Sequence, residues 1–194
     1  RNKVVRSGGA QVGDRVLLAG SAAIEGTSII AREKRAQLLQ FGWQPELLDE
    51  AASYLHTPGI SVLKPALLAA EQGLVTAMHD PTEGGIATAL SEIATASGVG
   101  LRINLDAIPI SEITSRLCAE FGLDPLGTIA SGALLATARA ENVETLLAHW
   151  RTISISALVI GEVVAAAQGI TATRGANAAP FPSFAADEIT KLWQ

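Results

Sequence analysis

Apolar positions along the chain switch between two rhythms, and each switch marks a new element. The run "DRVLLAGSAA" (14–23) is continuously apolar and then small, the pattern of a buried strand entering a turn. Residues 25–40 follow at helical spacing with Ile29, Ile30 and Leu39 expected inward. Pro45 suits a first helical position, and Leu47, Leu48, Ala51, Ala52 and Leu55 form one stripe. "VLKPALLAAEQG" predicts another helix, closed by Gly73. Leu74–His79 reads as a short strand, and Ile86, Ala89, Leu90, Ile93 and Ala94 give a helix packed on one face and ended by Gly98.

In "VGLRINLD" apolar Val99, Leu101, Ile103 and Leu105 alternate with Gly100, Arg102, Asn104 and Asp106, which predicts a strand with one polar face. Pro109 stops it, and Ser111 can cap a helix running to Gly122. Ser131–Ala138 predicts a strand, Val143, Leu146, Leu147 and Trp150 a helix, and Ile155–Val164 a further strand. Beyond Ala165 the chain is rich in Ala, Gly and Pro, with a short turn or helix expected over Asp187–Trp193. Helices and strands in alternation make a layered α/β domain.

Composition narrows the function classes. Of 194 residues 48% are hydrophobic and only 4% aromatic, so the core must be mostly aliphatic. The 14 Lys and Arg are scattered and outnumbered by 19 Asp and Glu, a net charge of −5 that gives no reason to expect nucleic acid. Cys118 is the only cysteine, which excludes an internal disulfide, and its spacing with Ile113, Leu117 and Phe121 makes it a core residue. No apolar run approaches the ~20 residues of a membrane span, so a cytoplasmic protein is expected. Val4 and Val5 read like a strand already under way in a chain that does not begin with methionine, so a longer parent chain is expected.

The densest chemistry lies in "TAMHDPTEGGIATAL" (76–90). Asp80 as N-cap, Pro81 at N1 and Glu83 at N3 make a capping box, which accounts for three residues. It leaves Gly84 and Gly85, each costing roughly 1 kcal/mol against alanine in a helix. Two readings stay open: close packing of the helix against a neighbour, or bare backbone where an anion meets free amides at the positive helix end. Glu83 opposes the second.

The four lysines, Lys3, Lys34, Lys64 and Lys191, are distant and no Gly-Lys-Ser/Thr is present, so a P-loop is excluded. His79 beside Asp80 invites a metal, yet His56 and His149 lie without ligand spacing and no metal site is expected. Ser131 and Gly132, entering a strand, read first as a tight turn with glycine at positive φ.

"HDPTEGGIATALSEIATASGVGLRI", followed in order by "IPI", "FGLDPLGTIASGALLAT" and "ALVIGEVV", resembles the C-terminal domain of the aminoimidazole-ribonucleotide synthase superfamily. The pattern is most similar to the hydrogenase expression/formation proteins, carbamoyl dehydratases of nickel–iron hydrogenase maturation, and it extends back to "GDRVLLAGSAAIEGTSIIARE". The resemblance implies a mixed β-sheet layered with helices. Residues 1–13 are then a linker or strand from an N-terminal ATP-binding domain, 14–165 the C-terminal α/β domain, and 166–194 its extension.

It implies further the C-terminal half of an ATP-dependent enzyme that activates an amide-like oxygen by phosphoryl transfer and closes over a cleft, inactive as a fragment. ATP and magnesium belong to the full-length protein, and neither is expected on this piece alone. Expected partners are its own N-terminal domain, a second copy in a homodimer and a maturation-type protein, with neither nucleic acid nor membrane. Substrate or anion-binding candidates are Asp80, Thr82, Gly84, Gly85, Ser131 and Gly132, with no catalytic residue assigned.

Two departures shape the expectation. Glu83 stands where the maturation proteins usually carry arginine, and the residues given end "DEITKLWQ" rather than Pro-Arg-Ile-Cys. A relative acting on another small amide or phosphorylated substrate is expected, the alternative being a non-catalytic binding or regulatory domain of the same fold.

Overall fold

The computed structural model describes residues 4–194. β1 (Arg15–Ala19) leads into α1 (Ile24–Glu33) and α2 (Arg35–Gln40). Next come α3 (Pro45–Ser53), α4 (Leu63–Glu71), β2 (Ala77–His79) and α5 (Gly85–Ser97). β3 (Gly100–Asn104), α6 (Glu112–Glu120), β4 (Leu134–Ala138), α7 (Val143–Thr152) and β5 (Ala157–Val164) complete the expected elements. β6 (Ile170–Arg174) and β7 (Asn177–Ala179) are additional strands in the Ala- and Gly-rich stretch, and Glu188–Trp193 forms the short terminal 3-10 helix.

All seven strands join one mixed sheet in the order β2-β4-β1-β5-β3-β6-β7. β1 is central and antiparallel to both β4 and β5, whereas β6 lies parallel to β3. Alternation along the strands sends Val16, Leu18, Leu101, Ile103 and Leu135 to one face, where α5 covers them with Ile86, Leu90 and Ile93. Leu17, Ala19, Leu134 and Ala136 face the other way, against Ala69 of α4 and Leu146 and Trp150 of α7. A third cluster joins α1, α2, α3 and α6 around Leu38, Leu48, Leu117 and Cys118, and Leu192 of the terminal 3-10 helix closes it.

Five expectations are corrected. The helix over 25–40 is interrupted at Lys34 (φ −108°, ψ 14°), and the break rotates the following turn so that Leu38 is buried and Leu39 is 42% exposed. The strand over 74–79 is confined to Ala77–His79. The strand expected over 131–138 begins at Leu134, with Ser131 and Gly132 in the turn before it, and the one over 155–164 begins at Ala157.

Val4 and Val5 are not in a strand; of the segment 1–13, residues 1–3 lie outside the described residues. The rest holds a 3-10 turn over Ser7–Gly9 against the free edge of β2, where the Met78 amide donates to Arg6 O at 3.4 Å. An edge strand with open backbone groups is thereby covered.

Candidate functional site

The capping box does not form. α5 begins at Gly85 with Gly84 as its N-cap, so Asp80, Pro81 and Thr82 lie in irregular backbone ahead of the helix and Glu83 in the turn that enters it. Glu83 is fully exposed, and its carboxyl is held below the ordinary value by its own backbone amide and the Thr82 hydroxyl. The local rule fails because the chain turns twice through the left-handed region, at Gly84 (φ +75°) and Gly85 (φ +64°).

Packing accounts for both glycines. A β-carbon on Gly85 would stand 2.5 Å from Leu126 O and 2.7 Å from Thr128 O, and one on Gly84 would meet the Thr88 side chain. Acceptors within the protein serve the first amides of α5. Gly84 donates to Asp187 Oδ2 at 2.7 Å, Gly85 to Thr82 O at 3.1 Å and Ala87 to Leu126 O at 3.0 Å. Asp187 Oδ1 also accepts the amides of Ile129 at 3.3 Å and Ile189 at 2.8 Å.

Sheet register decides which loops meet. Ala19 lies opposite Leu134 and Ala157, and His79 opposite Leu135, so the exits of β1 and β2 and the entries of β4 and β5 share one end of the sheet. The Ala130 amide donates to Thr82 O at 3.3 Å and the Gly26 amide to Ile129 O at 3.1 Å, tying the three loops together. Asp80, Thr82, Gly84, Gly85, Ser131 and Gly132 therefore lie in neighbouring loops. Asp80 and Thr82 are exposed, Ser131 and Gly132 half-buried, and the two glycines of α5 buried.

Beside them opens a cleft of about 300 Å³ lined by Gly20, Ser21, Ile24, Gly59, Gly132 and Ser156 among others, none of them charged. Gly132 adopts φ +101°, and a β-carbon there would stand 2.6 Å from Gly59 O. Gly20 adopts φ +88°, and its β-carbon would stand 3.0 Å from Gly132 O. Two strand ends abut through bare backbone, which leaves amides and hydroxyls as the chemistry of the wall.

Asp80, although exposed as a residue, has its carboxyl raised above the ordinary value, first by partial desolvation of that group, with His79 acting to lower it and Glu25 to raise it further. Glu25, in the first turn of α1, thus belongs to the same end of the sheet. Sequence reasoning missed Gly20, Ser21 and Glu25, although small residues immediately after a strand were the available signal. Asp187 carried none, because 103 residues separate it from Gly84.

Residues 11–172 match the model of a family described as AIR synthase related protein, C-terminal domain. Carbamoyl dehydratase HypE of Rhizobium leguminosarum bv. viciae is 33% identical over 163 residues, which are 83% of this chain and 43% of that protein. The chain thus spans less than half the length of that relative. The crystal structure of HypE from E. coli, a hydrogenase maturation protein, superposes with a TM-score of 0.72 at 23% identity, over 95% of this chain and 54% of that one. HypE in complex with ATP superposes with a TM-score of 0.64 at 21% identity, over 93% and 54%.

Proposed function

We propose, for a chain that belongs to the AIR synthase related C-terminal-domain family, that it forms the closing half of an ATP-dependent enzyme activating an amide-type oxygen by phosphoryl transfer. The observation that carries the reading is the gathering of the 80–82 and 131–132 loops at one end of the sheet, beside an uncharged cleft lined by glycines and serines together with prolines and isoleucines. The relative named a carbamoyl dehydratase supports the reaction class, and the neighbour solved with ATP has this fold.

Phosphoryl transfer depends on positioning and on neutralising charge rather than on covalent chemistry by the protein. ATP, when bound, supplies the phosphoryl group. Ser21 and Ser156, which line the cleft, would hold the oxygen-bearing substrate, with Thr82 and Ser131 in the neighbouring loops, and the loops packed through Gly20 and Gly132 would keep water out. Magnesium is a different matter. Asp80 and Glu25 are two carboxylates, and among the described residues no group of three His, Cys, Asp or Glu is placed to hold a metal ion. The residues present do not by themselves fit that ion.

Calorimetry tests the reading. ATP titrated into the 194-residue chain is expected to show no micromolar binding. Joined to its N-terminal half, the protein is expected to turn over ATP, with Asp80→Asn slowing it roughly 10²-fold. Turnover unchanged by that substitution overturns the assignment.

A second reading, a non-catalytic binding domain of the same fold, is favoured by one observation. The amide of Gly84 already receives the Asp187 carboxylate, and Glu83 stands beside it, so the positive end of α5 is supplied with negative charge by the chain itself. A full-length protein that binds a partner but hydrolyses no ATP decides for it.

A further inference from the structure

Outside the cleft, three side chains from distant parts of the sequence form one hydrogen-bonded line. His79 Nε2 lies 2.7 Å from Glu92 Oε2, and His79 Nδ1 lies 3.0 Å from Ser7 Oγ. The geometry points to Ser7–His79–Glu92 as a nucleophilic serine centre that accepts acyl groups from activated esters.

Packing builds the line. Gly8 and Gly9 allow the Ser7–Gly9 turn to lodge between α5 and β2: a β-carbon on Gly8 would stand 2.6 Å from Ala96 O, and one on Gly9 would collide with Thr76 O. Ser97 Oγ holds the same turn, donating to Ser7 O at 3.1 Å and accepting the Ala10 amide at 3.1 Å. One helical face of α5 then presents Glu92, the end of β2 presents His79, and the turn presents Ser7 half-buried. Gly8 is exposed and adds no side chain over the hydroxyl.

The chemistry follows from the tautomer. A carboxylate can only accept, so Glu92 selects the imidazole with hydrogen on Nε2 and leaves Nδ1 as a base facing the serine. The order of the two nitrogens is the reverse of the usual triad. Proton transfer needs only one nitrogen free to accept while a carboxylate holds the other. At rest the hydroxyl has a second acceptor in Met78 O at 3.2 Å. In reaction Ser7 Oγ bonds to the acyl carbon as its proton passes to His79 Nδ1, and the bond from that carbon to the leaving oxygen breaks. Water then cleaves the acyl-serine and restores the hydroxyl.

The test uses p-nitrophenyl acetate with the 194-residue chain, following p-nitrophenolate release and mapping the acetyl group by peptide mass spectrometry. An adduct on Ser7 is expected. Ser7→Ala removes it, His79→Gln slows it roughly 10²-fold or more, and Glu92→Gln slows it in the same direction. Glu92 is a surface residue of α5, so its variant keeps the test decisive if His79→Gln does not fold. Acetylation confined to lysines, or a Ser7 rate that either folded variant leaves unchanged, overturns the proposal.

Discussion

Asp187 Oδ2 accepts the backbone amide of Gly84 at 2.7 Å, so a carboxylate near Trp193 caps a helix whose N-cap residue lies 103 residues earlier. The same carboxylate holds the amides of Ile129 and Ile189, and it joins the α5 entry, the strap into β4 and the terminal 3-10 helix. Removing it strands several donors at once. Asp187→Ala is expected to lower stability by about 1–3 kcal/mol in urea unfolding, and Asp187→Asn, which keeps an acceptor oxygen, by less. Glu162, held by Arg15 at 2.7 Å and by Arg102 on the sheet surface, is the comparison: Glu162→Gln is expected to change stability by under about 1 kcal/mol.

The two glycines of α5 are expected to differ in what they tolerate. Gly85→Ala drives a β-carbon against two backbone carbonyls, those of Leu126 and Thr128, which can move only with their loop. Gly84→Ala meets Thr88 alone, whose hydroxyl can rotate away but whose β-carbon, 2.8 Å off, moves only with the first turns of α5. Both carry the cost of a left-handed φ, about 1–2 kcal/mol. Gly85→Ala should therefore lose roughly 3 kcal/mol or more, and Gly84→Ala clearly less, in parallel denaturant titrations.

Cys118 supplies a prediction at alkaline pH. Burial pushes its thiol up to about 12, the Thr128 hydroxyl acting against the shift and Asp124 and Glu188 adding to it. An acid whose folded pKa is raised ionises first in the unfolded chain. Stability conferred by the neutral thiol is therefore complete below about pH 9 and falls above it, by up to ~1.4 kcal/mol per pH unit. Unfolding midpoints at pH 8, 9 and 10 should decline in the parent and decline less in Cys118→Ala. Native Cys118 should also resist iodoacetamide at pH 8 until denaturant is added.

Asp80 has the opposite consequence at acid pH. Its carboxyl is raised, so the folded chain takes up this proton before the unfolded chain does, and ionised Asp80 opposes folding at neutral pH. Asp80→Asn is expected to be more stable than the parent at pH 7. The difference should shrink as pH falls through the raised value toward 3.8 and vanish below it. Thermal midpoints from pH 7 to pH 3 check the sign, and a variant that is less stable at pH 7 contradicts it.

Most elements were legible because their apolar periodicity is local. Ser111 accepts the Thr114 amide at 3.1 Å as a cap should, Gly98 and Gly73 close their helices at positive φ, and Cys118 is wholly buried. β6 and β7 were not legible. "ITATR" and "NAA" hold too few large apolar residues to announce strands, and they become strands because β3 has an open edge to pair with. The candidate site was half legible. Asp80, Thr82 and the glycines sit in one recognisable segment, whereas Ser21 and Glu25 join them only through the register of β1 against β4.

The sequence by itself determined the order of elements from β1 to β5, the aliphatic core and the family, since each is carried by contiguous residues whose periodicity or motif does not depend on distant neighbours. Only the tertiary structure decided how "DPTEGG" is used. Asp80, Pro81 and Glu83 satisfy a local capping rule, yet the helix starts after them, because Gly84 and Gly85 must pass beneath the carbonyls of Leu126 and Thr128 and hand an amide to Asp187. A backbone donor takes the best acceptor within reach, and for Gly84 that acceptor is brought by the last elements of the fold.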